Sequence, residues 1–229
     1  MKNIKLEAVR DTKGLIRDHV HETLKRNIME LKLVPGRFIS EKEMIEMLQV
    51  SRTSIREAFV KLGQEELIET IPQKGSIISL IDLELVEESR FVRETLESAI
   101  VRQACELLNS EQVLQLQNLV NLQELCVEEH NYARLFELDE EFHRSIIVGC
   151  GKSRTWGLLQ QFSTHYNRIR YLRLAATYNW DIILSDHREI VRAIREKNPD
   201  HAERAMHEHL SRVNFEKEEL KAKYPTYFR

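Results

Sequence analysis

Between residues 14 and 31 the apolar positions Ile16, Val20, Leu24, Ile28 and Leu31 recur at helical spacing on one face, and Pro35-Gly36 then punctuates the chain. Ser40, with Glu43 three residues on, reads as a capping box that opens a helix of barely two turns, with Met44, Ile45 and Leu48 turned inward. After Gln49-Val50, Ser51 can cap a third helix whose apolar stripe is Ile55, Ala58, Phe59 and Leu62, while Arg52, Thr53, Arg56 and Glu57 face away. The second and third helices thus meet across a tight turn. The period then drops to that of a strand. Residues 67–71 and 76–80 read as a hairpin around Pro72-Gln73-Lys74-Gly75, the only β signal in the chain.

Beyond Asp82 the pattern is helical throughout, and interruptions near Asn109-Ser110, residues 129–131, 149–153 and 176–179, and Asn198-Pro199 predict six helices. Glycine and proline are scarce, and no low-complexity stretch or repeat separates the halves. The junction near residues 80–83 is therefore expected to be short and stiff, dividing domains of residues 1–80 and 81–229. The fold class predicted is mainly α: three helices with a β-hairpin, followed by an all-α antiparallel helical bundle.

Composition narrows the class. With 229 residues, 42% hydrophobic and 31% charged, the chain can bury two modest cores and is not of a disordered type. No apolar run approaches the ~20 residues of a membrane span, and residues 1–10 lack the apolar stretch of a secretory signal, so no membrane partner and a cytoplasmic location are expected. Cys105, Cys126 and Cys150 are odd in number and form no CxxC pair, which fits reduced, buried thiols. A net charge of -3 argues against nonspecific coating of nucleic acid, but it is unevenly spread. Residues 1–80 carry 14 Lys and Arg against 12 Asp and Glu, a balance of +2, and the remainder carries 20 against 25, a balance of -5.

A short helix, a tight turn and a helix that begins Ser51, Arg52, Thr53, Ser54 and Arg56 is what docking in a DNA major groove needs. Arginine can fork onto guanine, hydroxyls and the helix N-terminus can hold phosphate, and the hairpin tip Lys74-Gly75 can come close to the backbone. On pattern alone these could equally be solvated charges on a surface helix. Pro35-Gly36, Ser40-Glu41, the run from Val50-Ser51-Arg52-Thr53 through Ser54-Ile55-Arg56-Glu57-Ala58, and Leu67-Ile68 resemble the N-terminal winged helix-turn-helix of the GntR superfamily of bacterial regulators over residues 10–80. That resemblance implies that Arg52 and Arg56 make the main base and phosphate contacts, with Lys42, Thr53, Ser54 and Gly75 of the wing in support. Lys74 stands where many relatives carry a basic or polar residue before the wing glycine.

The second half poses a sharper chemical question. In the helix over residues 131–148 the inward series Leu135, Asp139, Phe142, His143, Ile146 sets Asp139 and His143 one turn apart. The series Ile183, His187, Ile190, Val191, Ile194 buries His187, and Ala202, Ala205, Met206, His209, Val213 buries His209, with His207 on the opposite face. Buried imidazoles and carboxylates are costly unless paired, so four on core-facing stripes of three helices imply a common partner, and a divalent cation would serve. The donor set suits zinc first, or nickel, manganese or iron, and leaves one or two positions for water or ligand. Singly, each histidine could be a satisfied core residue. His165, near the stripe Phe162, Tyr166, Ile169, has no assigned role.

Asp139-Glu140-Glu141-Phe142-His143, Asp186-His187 and Met206-His207-Glu208-His209-Leu210 resemble the C-terminal FCD domain of the FadR branch. The resemblance implies a bundle of six or seven helices, a divalent metal at Asp139, His143, His187 and His209, and a small carboxylate effector bound against it. In the segment Arg93-Glu94-Thr95-Leu96-Glu97 it implies that Arg93 reaches the ligand cavity; the alternative is a surface salt bridge from Arg93 to Glu97. Ser185 and Arg170 are weaker candidates for the same cavity. A dication with one carboxylate and three neutral imidazoles carries +1, and Arg93 adds to it, so an anionic effector is favoured. The expected protein is a repressor, bound as a homodimer to a near-palindromic double-stranded operator and controlled by the effector. Three other readings stand beside it: a metal-dependent hydrolase, a purely structural metal, and a metal-free domain binding an acyl-CoA. The hydrolase is disfavoured by the lack of HExxH or a spaced general base and, more strongly, by the DNA-binding pattern on the same chain, so no enzyme is expected.

Overall fold

The computed structural model describes residues 15–175 and 180–229. The expected break at 176–179 and the opening residues 1–10 fall outside the described residues, as do the side-chain settings of Ile16 and Val213. The chain forms two compact units, Met1–Leu83 with Lys221–Arg229, and Glu84–Leu220.

In the first unit, α1 (Leu15–Met29), α2 (Glu41–Leu48) and α3 (Arg52–Gln64) enclose a core in which Val20, Leu24, Ile28, Met44, Ile55 and Leu62 are all fully buried. Ser40 caps α2 by accepting from the Glu43 N–H at 3.1 Å, but Glu43 turns its carboxylate to Arg37 at 2.7 Å instead of closing the reciprocal half of the capping box. The hairpin of β2 (Ile68–Ile71) and β3 (Gly75–Ile78) is joined by a third strand that the pattern did not reveal, β1 (Phe38–Ile39). The order is β1-β3-β2, antiparallel throughout, with Phe38 opposite Ile77 and Ile68 opposite Ile78. Gly75 has φ +124°, and a Cβ there would lie 2.8 Å from the Phe38 ring, so this position admits only glycine without rearrangement.

Residues 221–229 pack with this unit. Phe228 is buried and bridges to Ile81; the Ile81 N–H donates to the Tyr227 carbonyl at 2.8 Å, and the Arg229 guanidinium donates to Asp82 at 2.5 Å.

After residue 82 the described residues contain eight helices where six were expected: α4 (Leu83–Leu107), α5 (Ser110–Glu128), α6 (Tyr132–Gly149), α7 (Ser153–Phe162), α8 (Thr164–Ala175), α9 (Trp180–Arg195), α10 (Pro199–Ser211) and α11 (Val213–Lys223). The extra breaks have local causes. At Ser163 the hydroxyl donates to the Leu159 carbonyl at 2.6 Å, and the Phe162 carbonyl accepts from Ser89, so the helical ladder is interrupted. At Arg212 the backbone stays near helical geometry (φ −61°, ψ −30°), which leaves no composition signal. The second core is built from α4, α5, α6, α9 and α10 around Val101, Val120, Phe142, Ile190, Val191 and Met206.

Candidate functional site

Gln49 ends α2 in the left-handed region (φ 55°), which reverses the chain and sets α3 against it. Ser51 then caps α3 by accepting from the Ser54 N–H at 3.1 Å. Burial of Ile55, Ala58, Phe59 and Leu62 fixes the rotation of α3 and leaves Arg52, Thr53 and Arg56 exposed. Ser54 is turned inward, its hydroxyl 2.9 Å from that of Ser51. Arg56 Nε lies 3.1 Å from both Glu41 oxygens, and Lys42 and Lys74 are exposed. A groove of about 470 Å³ between α3 and the hairpin is lined by Glu41, Arg56, Val60, Thr70 and Gly75 among others. Cations and a capped helix N-terminus on one exposed face suit a polyanion.

In the second unit, α6, α9 and α10 bring the four predicted ligands together. His209 Nε2 is 3.2 Å from His143 Nε2 and 3.3 Å from His187 Nε2, and the Asp139 carboxylate is 3.7 Å from both His143 Nε2 and His187 Nε2. One donor atom from each of the four lies within 4.8 Å of the others. The rings also have partners on their far sides. His143 Nδ1 meets Glu97 at 2.5 Å and His187 Nδ1 meets the Gln123 oxygen at 2.7 Å, whereas His209 Nδ1 faces Asp186 at 3.5 Å, long for a hydrogen bond. A carboxylate only accepts, so a neutral His143 carries its proton on Nδ1 and leaves Nε2 a bare lone pair.

Burial, then the neighbouring His209, pushes His187 well below the ordinary histidine range, and burial likewise lowers His209. Three neutral rings that meet through Nε2 repel one another unless a proton on His209 Nε2 or a cation lies between them. Metal–nitrogen bonds of about 2.0–2.1 Å separate adjacent ligand nitrogens by roughly 2.8–3.0 Å in octahedral and 3.3–3.4 Å in tetrahedral geometry, and the 3.2 and 3.3 Å found here lie within that span, near the tetrahedral end. The donor set therefore fits a divalent cation. Burial alone would raise the Asp139 carboxyl, yet the Arg170 guanidinium beside it holds it far below the usual carboxylate range, ready to ligate.

A cavity of about 40 Å³ opens beside Asp139 and His209, walled by Phe136, Tyr166, Arg170 and Trp180 among others. Arg170 donates to Asp139 and Glu140 and stacks on Phe136, 4.9 Å from the ring centre. Arg93 is not in this wall. It is 1% exposed, donates to Glu97 at 2.6 Å and to Glu140 at 3.4 Å, and keeps a buried Nη2 with no hydrogen-bond partner. Its pair with Glu97 is thus buried, not the surface bridge weighed above. Ser185 is exposed and outside the wall, and His165 is buried. Arg93 and Arg170 against Asp139, Glu97 and Glu140 sum to -1, so a dication would bring the cluster to +1.

A helix-turn-helix with a hairpin wing, followed in one chain by a helical unit with a buried donor cluster, defines a DNA-binding regulator with an accessory domain. The family models agree: residues 16–78 match "Bacterial regulatory proteins, gntR family" and residues 88–212 match the FCD domain. The chain belongs to the GntR family of regulators, with an FCD domain. It is 29% identical over 199 residues, 87% of each chain, to the HTH-type transcriptional repressor RspR of Escherichia coli. It is 30% identical to an HTH-type transcriptional regulator in an unstable DNA locus of Streptomyces ambofaciens, covering 93% of this chain and 89% of that one. Its fold is similar to that of E. coli McbR/YncC (TM-score 0.75, 18% identity, covering 91% and 98% of the two chains). The protein is accordingly a transcriptional regulator and not an enzyme, and regulators of this family bind DNA operators. Among the described residues no helix is long and apolar enough to cross a membrane.

Proposed function

We propose that the protein is a repressor that binds a near-palindromic operator as a homodimer, and that its operator affinity is set by a small carboxylate effector held at a divalent cation, zinc before nickel, manganese or iron. The observation that carries this reading is the convergence of three Nε2 atoms and the Asp139 carboxylate beside a cavity. Bound there, the cation supplies positive charge and an open coordination position. Asp139, His143, His187 and His209 hold it. Arg170 stands at the cavity wall to meet the effector carboxylate, and Arg93 supports it from behind through Glu140. The two tasks fall to the two units, with residues 221–229 standing with the first and not, as expected, with the bundle. In the first, Arg52 and Arg56 contact the operator, aided by Lys42, Thr53, Lys74 and the close-approaching Gly75, while Ser54 serves from within by fixing the cap of α3. The relative named a repressor supports the sign.

The test is metal content by elemental mass spectrometry of protein purified without chelator, with Asp139→Ala and His187→Ala alongside, followed by operator binding across a series of small carboxylates. About one divalent ion per chain in the parent, lost in both variants, and operator release by at least one carboxylate are expected. A parent without metal, or one whose operator affinity no carboxylate moves, overturns the sensor reading.

A further inference from the structure

The outer faces of two of the histidine rings are gripped by residues that belong to no ligand motif. Glu97 on α4 and Gln123 on α5 are 1% and 0% exposed, and an ionised carboxylate or a primary amide is costly at that depth unless its polar atoms are used. They are. Glu97 accepts from Arg93 Nε at 2.6 Å with one oxygen and from His143 Nδ1 at 2.5 Å with the other. Gln123 donates its Nε2–H to the Leu138 carbonyl at 3.1 Å, and that carbonyl can only accept, so the amide is fixed one way round with its oxygen toward His187 Nδ1 at 2.7 Å. Leu138 is the neighbour of Asp139 in the chain. The backbone that carries one ligand thus orients the ring of another, through a side chain from a third helix.

We infer that Glu97 and Gln123 are positioning residues that lock His143 and His187 as Nδ1–H tautomers, aiming both Nε2 lone pairs at one point before any cation arrives. This rests on the reading of the four-residue cluster as a metal site, and adds that the site is preformed. Asp186 has no equal part, because it stands 3.5 Å from His209 and is shared with Arg212.

The experiment has two arms on the full chain. In the first, the metal-free parent with ¹⁵N-labelled histidine is examined by long-range proton–nitrogen NMR. Protonated Nδ1 and bare Nε2 at both His143 and His187 are expected, and protons on Nε2 at both overturn the inference whatever any variant does. In the second, zinc and cobalt(II) affinities are measured by chelator competition, with the cobalt ligand-field spectrum recorded. Gln123→Met keeps length and bulk but removes the acceptor, so its affinity should fall about 10–100-fold with an altered spectrum. Gln123→Glu restores an acceptor and should recover most of that loss. A Gln123→Met protein that binds within twofold of the parent with an unchanged spectrum overturns the inference; if that variant does not fold, the NMR arm decides. A parent that binds neither metal refutes the metal reading itself, an outcome kept separate because the tautomers are read without metal.

Discussion

Arg93 and Glu97 face each other with 1% of each side chain exposed, so each charge depends on the other for its solvation. Removing one partner of such a pair strands the other in a medium that cannot hydrate it. Arg93→Ala is therefore expected to lower unfolding stability by about 3–5 kcal/mol, measured in urea with metal removed. A loss under about 1 kcal/mol would mean that the His143 N–H and water already compensate Glu97. The histidines make a second residue-scale prediction. His187 and His209 titrate below 6.5 in the fold but near 6.5 in the unfolded chain, so the unfolded chain binds more protons just below that pH. Their contribution to stability is then complete above about 6.5 and is lost as pH falls beneath it. Chelated protein should show a lower thermal midpoint at pH 5.5 than at pH 7.5. An unchanged midpoint would show that the rings are not held neutral.

At the scale of elements, periodicity was informative wherever one face of a helix is buried and silent where geometry depends on a single hydrogen bond. The stripes of α6, α9 and α10 exposed the four ligands because histidine and aspartate stood where apolar residues belong. Gln123 was equally legible in principle, since it follows Leu116 and Val120 on the inward face of α5. Glu97 and Arg170 were harder, because charged residues on long helices usually face water, and only the packing of α4 and α8 shows that these do not. Strand β1 has two residues, too few to show alternation, and the Ser163 break turns on one hydroxyl that reaches back to Leu159. The caps, by contrast, are local chemistry, and Ser51 behaves as its type predicts. Ser51→Ala removes the acceptor for the Ser54 N–H and should cost about 1 kcal/mol of first-unit stability. Chemical denaturation of the full chain checks this, and no loss would mean that the Ser54 hydroxyl or water replaces the cap.

On the scale of the whole molecule, the chain passes between its two compact units near residue 83 and again near residue 220, and the second passage was not legible from sequence. Residues 221–229 carry no periodic pattern. What ties them to the first unit is the backbone pairing of Ile81 with Tyr227 and Arg229, together with the burial of one ring, Phe228. Two perturbations should therefore separate. A cation that binds only the folded second unit stabilises it by mass action, by about 2.7 kcal/mol at a free concentration a hundredfold above its Kd. Phe228→Ala instead empties a site at the edge of the first unit and should cost it up to about 3–5 kcal/mol, less where neighbouring groups relax into the space. The variant should retain the parent's metal content and the metal-dependent rise in the second unit's thermal transition, while the transition of the first unit moves down. A variant that loses metal along with first-unit stability would mean that the tail also supports the ligand cluster, and the two units would then have to be treated as one cooperative body.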